Sequence, residues 1–265
     1  MKKNIAKKKI KNGIPSIGTW VSSGSPLVCE TLAGSGIDWI NIECEHSSID
    51  LGELVHCMRA VEHTNIPVFV RVAGSDPLII KRVVDSGALG IVVPDVKNAE
   101  EAKRAVDACR YPPVGKRGIG ATRPNAIYPD YMKHANEEIC VVIMIEDIEA
   151  IKKIDSIMQV PGVDVVFIGP NDLAATLNVP LGMDNQHPKH LDAVNTVLEA
   201  GKKHGVPTGI HCGTPEEAIR RIEQGFVWMP IASDVALMRG AFSNAIKKVN
   251  DSSVKLESNS DGKFY

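Results

Sequence analysis

The sequence predicts a single (β/α)8 barrel, or TIM barrel, on two observations. Eight short apolar runs alternate with helix-like stretches along 265 residues, and a chain of this length has the size of one complete barrel. The runs are apolar throughout instead of alternating with polar residues, which is typical of parallel strands buried on both faces. An open doubly wound sheet is the alternative, but the G-x-G-x-x-G phosphate motif of that fold does not follow the first run.

Each predicted strand is followed by a helix or by enough residues to form one. The strands are predicted at residues 16–21, 38–43, 67–72, 90–94, 140–145, 164–168, 207–211 and 226–231. Helices are predicted most clearly at residues 50–63, 77–86, 99–109, 189–204 and 215–224. Several of these helices stop before a Gly or Pro that ends the helix ahead of the next strand, as at Gln224-Gly225.

We expect residues 1–250 to form one barrel domain and residues 251–265, which are polar, to form a flexible C-terminal tail. The lysine-rich start, residues 2–11, is expected to be a solvated, frayed terminus. Residues 111–136 are rich in Pro and Gly and are expected to form a long excursion on the active-site side of the barrel. Such loops often form active-site walls or subunit contacts.

The composition excludes several classes of function. A net charge of −2 gives no electrostatic reason to expect nucleic acid or an anionic membrane as a partner. The six cysteines include no C-x-x-C pair, which disfavours a zinc ribbon or a redox motif and fits a reducing cytosol. The start lacks the apolar core of a signal peptide, and no apolar run approaches the ~18 residues of a membrane span. We therefore expect a cytoplasmic protein.

Polar residues concentrate where the apolar runs end, and in a barrel the active site lies at the carboxyl ends of the strands. Glu146 and Asp172 follow two neighbouring strands, and paired carboxylates commonly hold Mg2+ or Mn2+ together with water and substrate oxygens. The same two residues could instead cap the helices that follow, and their spacing does not decide between the two roles. Of the adjacent residues Glu146 and Asp147, Asp147 is the better candidate for a helix cap.

Arg71 and His46 are the candidate substrate-binding and acid–base residues. Arg71 ends a strand, where its planar guanidinium faces either the barrel mouth, to bind a small carboxylate or enolate oxygen, or a salt bridge. His46 is the best candidate base because imidazole titrates near neutral pH, although a lone histidine is more often structural. His211 is its rival, and we interpret it as a wall residue.

Two common mechanisms are disfavoured by residues that the strands lack. No predicted strand contains a lysine, which a Schiff-base aldolase requires. Only two histidines lie at strand ends, too few for a tri-histidine zinc site.

The motifs of this chain resemble those of the HpcH/HpaI family of class II pyruvate aldolases, from about Gly18 to Lys247. The matching motifs are Gly18-Thr19-Trp20, Gly36-Ile37-Asp38-Trp39, Glu45-His46, Pro67-Val68-Phe69-Val70-Arg71, Asp85-Ser86-Gly87-Ala88, Gly90-Ile91-Val92-Val93-Pro94, Gly115-Lys116-Arg117-Gly118, Ile145-Glu146 and Gly169-Pro170-Asn171-Asp172-Leu173. Each motif is weak alone, but their order and intervals are specific.

The resemblance implies a phosphoenolpyruvate/pyruvate-type barrel that cleaves 4-hydroxy-2-oxo acids reversibly to pyruvate, or a related 2-oxo acid, and an aldehyde. It implies that Glu146 and Asp172 bind a divalent cation (Mg2+, Mn2+ or Co2+), with Glu45 acting through water. Arg71 would bind pyruvate and stabilise its enolate.

The resemblance also implies roles for the residues around this centre. His46 would be the base, oriented by Asp85. The backbone amides of Asn171 and Asp172 would hold the substrate carboxylate, and Trp20 would line the pocket. The family forms hexamers, often with exchange of a C-terminal helix, and the apolar stretch 235–245 suits such contacts.

Three departures from the family pattern leave the substrate open. The usual glutamine that touches pyruvate is Met144, whose thioether cannot donate a hydrogen bond. The usual Asp-Gly before Glu45 is Glu43-Cys44, and the charged Asp95 follows Pro94. Two alternatives remain: a lyase similar to the citryl-CoA or malyl-CoA lyases, and a barrel that binds a keto acid without turnover.

Overall fold

The computed structural model describes residues 1–252 and contains a closed barrel. Eight parallel strands pair in sequence order and the last pairs with the first, which confirms the predicted fold class and excludes the doubly wound sheet. The predicted strands are all present, with ends shifted by one or two residues at most. They are β1 (Ser16–Val21), β2 (Trp39–Glu43), β3 (Val68–Arg71), β4 (Gly90–Val93), β5 (Cys140–Ile145), β6 (Val165–Ile168), β7 (Thr208–Ile210) and β8 (Trp228–Ser233).

The helices surround the barrel, and the five that the sequence predicted most clearly are among them. The helices of the described residues are α1 (Ile5–Lys11), α2 (Pro26–Ala33), α3 (Leu51–Ala60), α4 (Pro77–Asp85), α5 (Ala99–Cys109), α6 (Thr122–Ile127), α7 (Tyr131–Glu138), α8 (Ile148–Lys152), α9 (Ile154–Met158), α10 (Pro170–Thr176), α11 (Pro188–His204), α12 (Pro215–Gln224) and α13 (Asp234–Asn250). Within residues 1–252, no helix is long and apolar enough to cross a lipid bilayer.

The starts of α8 and α10 test whether Glu146 and Asp172 act as helix caps. The side chain of Asp147 accepts a hydrogen bond from the amide of Glu149 and caps α8, as the sequence predicted. Helix α10 begins after Gly169 and has no side-chain cap. Neither Glu146 nor Asp172 therefore serves as an N-cap, so the capping alternative does not account for these two carboxylates.

Aromatic rings fill the barrel below its carboxyl end. The indoles of Trp39 and Trp228 stack with their ring centroids 4.1 Å apart, and the Phe69 ring lies 5.5 Å from Trp39. Glycines make room for these rings, because a Cβ at Gly18 would lie 2.2 Å from the Trp39 ring and a Cβ at Gly90 would lie 2.0 Å from Phe69. This aromatic layer fills the barrel interior directly beneath the cavity at the carboxyl ends of the strands.

The expectation of a frayed amino terminus is wrong for α1, which closes the amino-terminal end of the barrel. Ala6 and Ile10 lie one helical turn apart and are buried against the aromatic layer. Between them Lys7 is buried, and its Nζ donates to the backbone oxygen of Ile139 at 2.7 Å and to Asp164 at 2.9 Å. The sequence feature that indicates this buried helix is the pair of apolar residues, Ala6 and Ile10, placed among the lysines.

Residues 111–136 also differ from expectation. They follow helix α5 and precede strand β5, so they form an αβ connection on the amino-terminal side of the barrel instead of the active-site side. The connection contains α6 and α7. Of the predicted flexible tail at 251–265, residues 253–265 lie outside the described part of the chain.

Candidate functional site

A cavity of about 430 Å3 opens at the carboxyl ends of the strands. Its wall includes residues from seven of the eight strands or from the segments that directly follow them. Six of the residues predicted from the sequence lie on this wall: Trp20, His46, Arg71, Met144, Asn171 and Asp172. The structure thus brings together side chains that are far apart in the sequence.

Arg71 is held by two carboxylates at the mouth of the barrel. Its Nε donates to Glu43 at 2.6 Å, and its Nη1 lies 3.1 Å from Glu45. The guanidinium also lies over the ring of Trp20, with its carbon 4.8 Å from the ring centroid. The sequence left open whether Arg71 faces the mouth or forms a salt bridge, and the structure shows both.

Glu43 organises this end of the barrel, a role that the sequence did not assign. Its side chain is buried, with 4% of its surface exposed. One carboxylate oxygen accepts from Arg71, and the other accepts from the backbone amides of Glu45 and His46 at 2.7 and 2.9 Å. A sequence feature that could have indicated this role is that an acid and an arginine end two consecutive predicted strands. In the structure, Glu43 and Arg71 pair in register between β2 and β3.

Glu146 is a buried carboxylate beside other carboxylates. Its Oε1 accepts from the backbone amide of Asp95 at 2.8 Å, and Gly169 leaves space for its Oε2, because a Cβ there would lie 2.5 Å from that oxygen. The pKa of Glu146 is raised to about 7, mainly by burial and in part by the negative charges of Asp172 and Glu45. The hydrogen bond from the Asp95 amide and the positive charge of Arg71 oppose this rise.

Asp95, the third departure from the family pattern, serves Glu146 through its backbone. Its φ of +53° lies in the left-handed region, which Asp tolerates better than most residues. Its own carboxylate points away and pairs with Lys97 at 3.2 Å.

The carboxylates at this mouth fit a hard divalent cation. Within residues 1–252, no group of three or more His, Cys, Asp or Glu side chains is arranged to hold a metal ion. Mg2+ needs fewer, because it keeps several waters and is often held by one or two carboxylates together with substrate oxygens. Burial also raises the pKa of Glu45, and a nearby cation would favour the charged form of each of these acids.

His46 lies at the edge of the cavity. Its side chain is 68% exposed, and its Nε2 lies 3.7 Å from a carboxylate oxygen of Glu45. The loop that carries it is fixed by the bond from its backbone amide to Glu43. The imidazole is therefore accessible while its backbone is anchored.

The predicted contact between Asp85 and His46 is not made in the described part of the chain. Asp85 is the last residue of α4, and a helix that follows a barrel strand ends at the opposite face from the cavity. There its Oδ1 accepts two hydrogen bonds from Arg117, at 3.0 and 2.7 Å. An orienting role for Asp85 has no support from these contacts.

No motif in the sequence indicated that several other residues line the cavity. Ser22, Met183 and Ser233 line the cavity from loops or strand ends whose position depends on the closed barrel. His211, interpreted as a wall residue, does line the cavity, and its ring lies 5.8 Å from that of Trp20.

A closed parallel barrel with convergent ionisable groups at its carboxyl end defines a TIM-barrel enzyme. The chain belongs to the HpcH/HpaI aldolase/citrate lyase family, whose model matches residues 16–240. This confirms the resemblance found in the sequence, and with it the aldolase class of carbon–carbon lyase.

Relatives and solved structures agree with this assignment. The chain is 36% identical over 262 residues to a 4-hydroxy-2-oxo-heptane-1,7-dioate aldolase of Klebsiella pneumoniae, covering 97% of this chain and 98% of that protein. It is 36% identical over 232 residues to a 2-dehydro-3,6-dideoxy-6-sulfogluconate aldolase of Pseudomonas putida, covering 86% and 90%. The crystal structure of an HpcH/HpaI aldolase/citrate lyase family protein from Burkholderia cenocepacia matches with a TM-score of 0.88 at 32% identity, covering 94% of this chain and all of that one.

The Glu43–Arg71 pair yields a prediction about stability. We expect Glu43→Gln to lower the free energy of unfolding by about 1–3 kcal/mol, because an amide offers one acceptor where the carboxylate oxygens accept three hydrogen bonds and balance a buried charge. Urea denaturation at fixed protein concentration measures the change. Glu30→Gln, the same substitution on the exposed surface of α2, is the matched control and is expected to stay within ~0.5 kcal/mol of the parent. Equal stability of the two variants would contradict the role given to Glu43.

Proposed function

We propose that the protein is a metal-dependent pyruvate aldolase that cleaves 4-hydroxy-2-oxo acids reversibly to pyruvate, or a related 2-oxo acid, and an aldehyde. The observation that carries this proposal is the placement of Arg71, His46 and Asp172 on the wall of one cavity. The buried Glu146 lies close enough to interact electrostatically with Asp172 and Arg71. Family membership supports the same reaction class. The names of two relatives, each an aldolase named for a 2-oxo acid, support a 2-oxo acid as the substrate.

Glu146 and Asp172 would hold the divalent cation (Mg2+, Mn2+ or Co2+), with Glu45 acting through water. When bound, such a cation supplies Lewis-acid catalysis, which makes the methyl protons of a 2-oxo acid more acidic. Burial of Glu146 supports this role, because a buried carboxylate without a cation is costly.

Arg71 would bind pyruvate and stabilise the negative charge that appears on the enolate oxygen. Its guanidinium is fixed before substrate arrives by Glu43, Glu45 and the Trp20 ring. A preorganised charge costs little reorganisation at the moment of reaction. Trp20 and the Met144 thioether would pack against the substrate, and the uncapped amides of Asn171 and Asp172 would hold its carboxylate.

His46 would move the proton. In the synthetic direction its imidazole takes a proton from the methyl group, and the resulting enolate carbon attacks the aldehyde. In the cleavage direction it takes the proton of the 4-hydroxyl group, and the bond between C3 and C4 breaks. The exposure of His46 at the cavity edge is consistent with a base that exchanges its proton with solvent.

The two alternatives have less support. A CoA lyase needs basic groups for the phosphates of its substrate, but Arg71 is the single Arg or Lys on the described cavity wall. A keto-acid-binding barrel without turnover would not need a histidine and an acid pair at one mouth.

Proton exchange on pyruvate tests the proposal directly. We expect the methyl protons of pyruvate to exchange in deuterated water without any aldehyde, as measured by NMR. Removal of metal by EDTA should abolish the exchange, and Mg2+, Mn2+ or Co2+ should restore it. Undiminished exchange in the chelator would contradict the metal requirement. No exchange with any of the three metals would instead favour the non-catalytic binder.

Substitutions at the two catalytic positions provide a second test. We expect Arg71→Ala and His46→Ala each to lower kcat for aldol cleavage roughly 100-fold or more, the range for loss of a charge stabiliser or a general base. Steady-state assays of pyruvate release measure the effect. His63→Ala, at a position outside the cavity, is the control for the loss of an imidazole. Turnover of Arg71→Ala near that of the parent would remove Arg71 from the mechanism.

We also propose that the protein is a homo-oligomer, a hexamer by resemblance, assembled through α13. None of the residues of this helix is buried. Its apolar side chains Met238, Phe242, Ile246 and Val249 are spaced to form one exposed stripe. Contiguous apolar surface of this kind marks interaction sites on soluble proteins.

The α13 stripe predicts a change in oligomeric state. We expect Phe242→Glu to shift the protein toward a smaller species, because a carboxylate would be placed within the apolar contact. Light scattering coupled to gel filtration measures the mass. Ile219→Glu, at an exposed isoleucine on α12, is the matched control and should keep the parent mass. An unchanged mass for Phe242→Glu would contradict assembly through α13.

A further inference from the structure

The cavity has two sides that come from different parts of the barrel. Most of the residues proposed to hold pyruvate lie on β3 and β5 or directly after β6. On the other side, the adjacent elements β7, β8 and β1 contribute the polar side chains of His211, Ser233 and Ser22. We use the name acceptor side for the part of the cavity wall that Ser22, His211 and Ser233 form. A volume of about 430 Å3 leaves room for a second small molecule beside pyruvate.

His211 is a half-buried polar group of the acceptor side. Burial and, to a smaller extent, the positive charge of Arg71 together lower its pKa to about 4. The imidazole is therefore uncharged at neutral pH, with one nitrogen that donates and one that accepts. Within residues 1–252, its ring nitrogens make no hydrogen bond, and its ring contact is with Trp20.

A neutral imidazole and two serine hydroxyl groups match a ligand that carries hydroxyl groups. A hydroxyl group both donates and accepts, as each of the three side chains does. A ligand carboxylate would instead need a cation or several N–H donors. Serine and a neutral histidine offer at most one donor each.

The charges around the cavity also disfavour a second carboxylate on the aldehyde. Glu43, Glu45, Glu146 and Asp172 gather near the single guanidinium of Arg71. Arg71 is already paired with two of them, at 2.6 and 3.1 Å. No further Arg or Lys lies on the described wall to neutralise an acidic acceptor.

We propose that His211 is a specificity-determining residue that hydrogen bonds a hydroxyl group of the acceptor aldehyde. The acceptor is accordingly an uncharged hydroxyaldehyde and not an aldehyde with a second carboxylate. This inference rests on the proposed aldolase function. The bond forms between the methyl carbon of the pyruvate enolate and the aldehyde carbon, and the aldehyde oxygen gains a proton to become the 4-hydroxyl group. The hydroxyl group bound by His211 is unchanged in the reaction.

Matched aldehydes test the role of His211. Glyceraldehyde and propanal have the same three-carbon chain, but propanal lacks both hydroxyl groups. With pyruvate as donor, we expect His211→Leu to lower the ratio of kcat/KM for glyceraldehyde to that for propanal about tenfold, the effect of one lost hydrogen bond. His211→Gln retains a donor and an acceptor and should recover most of the ratio. His56→Leu, the same change at an exposed residue of α3, should leave the ratio at the parent value.

A third aldehyde tests the substrate class. We expect the parent protein to use glyceraldehyde at least tenfold more efficiently than succinic semialdehyde, which carries a carboxylate, as judged by kcat/KM. A preference for succinic semialdehyde, or a ratio that His211→Leu leaves unchanged, would overturn the inference.

The exchange of pyruvate methyl protons separates this outcome from failure of the function itself. Exchange in the parent protein with an unchanged aldehyde ratio in His211→Leu overturns the role of His211 alone. Absence of exchange in the parent overturns the proposed function and, with it, this inference.

Discussion

The buried ion pair between Glu43 and Arg71 is the interaction on which the site depends. The two residues end adjacent strands in register, so closure of the barrel brings a carboxylate and a guanidinium together at its mouth. A buried charge is tolerated only when it is paired and hydrogen bonded. Because the same carboxylate also accepts from the amides of Glu45 and His46, one side chain positions both the Arg71 guanidinium and the loop that carries His46.

The second constraint is the burial of Glu146 among other negative charges. Burial is the main reason why the pKa of Glu146 rises to about 7, and the neighbouring charges of Asp172 and Glu45 act in the same direction. Such an arrangement costs stability in the protein alone. The backbone amide of Asp95 offsets part of this cost, because it donates a hydrogen bond to the carboxylate.

Structural features that depend on local sequence patterns could be predicted from the sequence. Features that depend on contacts between distant residues could not. The eight strands were recognisable because each is an apolar run, and the cavity residues because polar side chains follow those runs. Helix α1 was missed because its burial depends on Asp164 and Ile139, more than a hundred residues away. Asp85 was assigned by resemblance, but its position at the end of α4 and its bonds to Arg117 follow from the course of the helix.

The identity of the aldehyde is a question that overall similarity does not answer. The chain is equally similar, at 36% identity, to relatives named for a dicarboxylic and for a sulfonated sugar-acid substrate. Recognition of the aldehyde must depend on a few side chains. Under the proposed function, most of the pyruvate side lies on or after β3, β5 and β6, while Ser22, His211 and Ser233 form the acceptor side. Substitutions of these three residues can change the acceptor without removing a partner of the Glu43–Arg71 pair. His211 lies at the point where the two sides meet, against Trp20 and within the field of Arg71, and its neutral ring therefore decides between a hydroxyl group and a charge at that position.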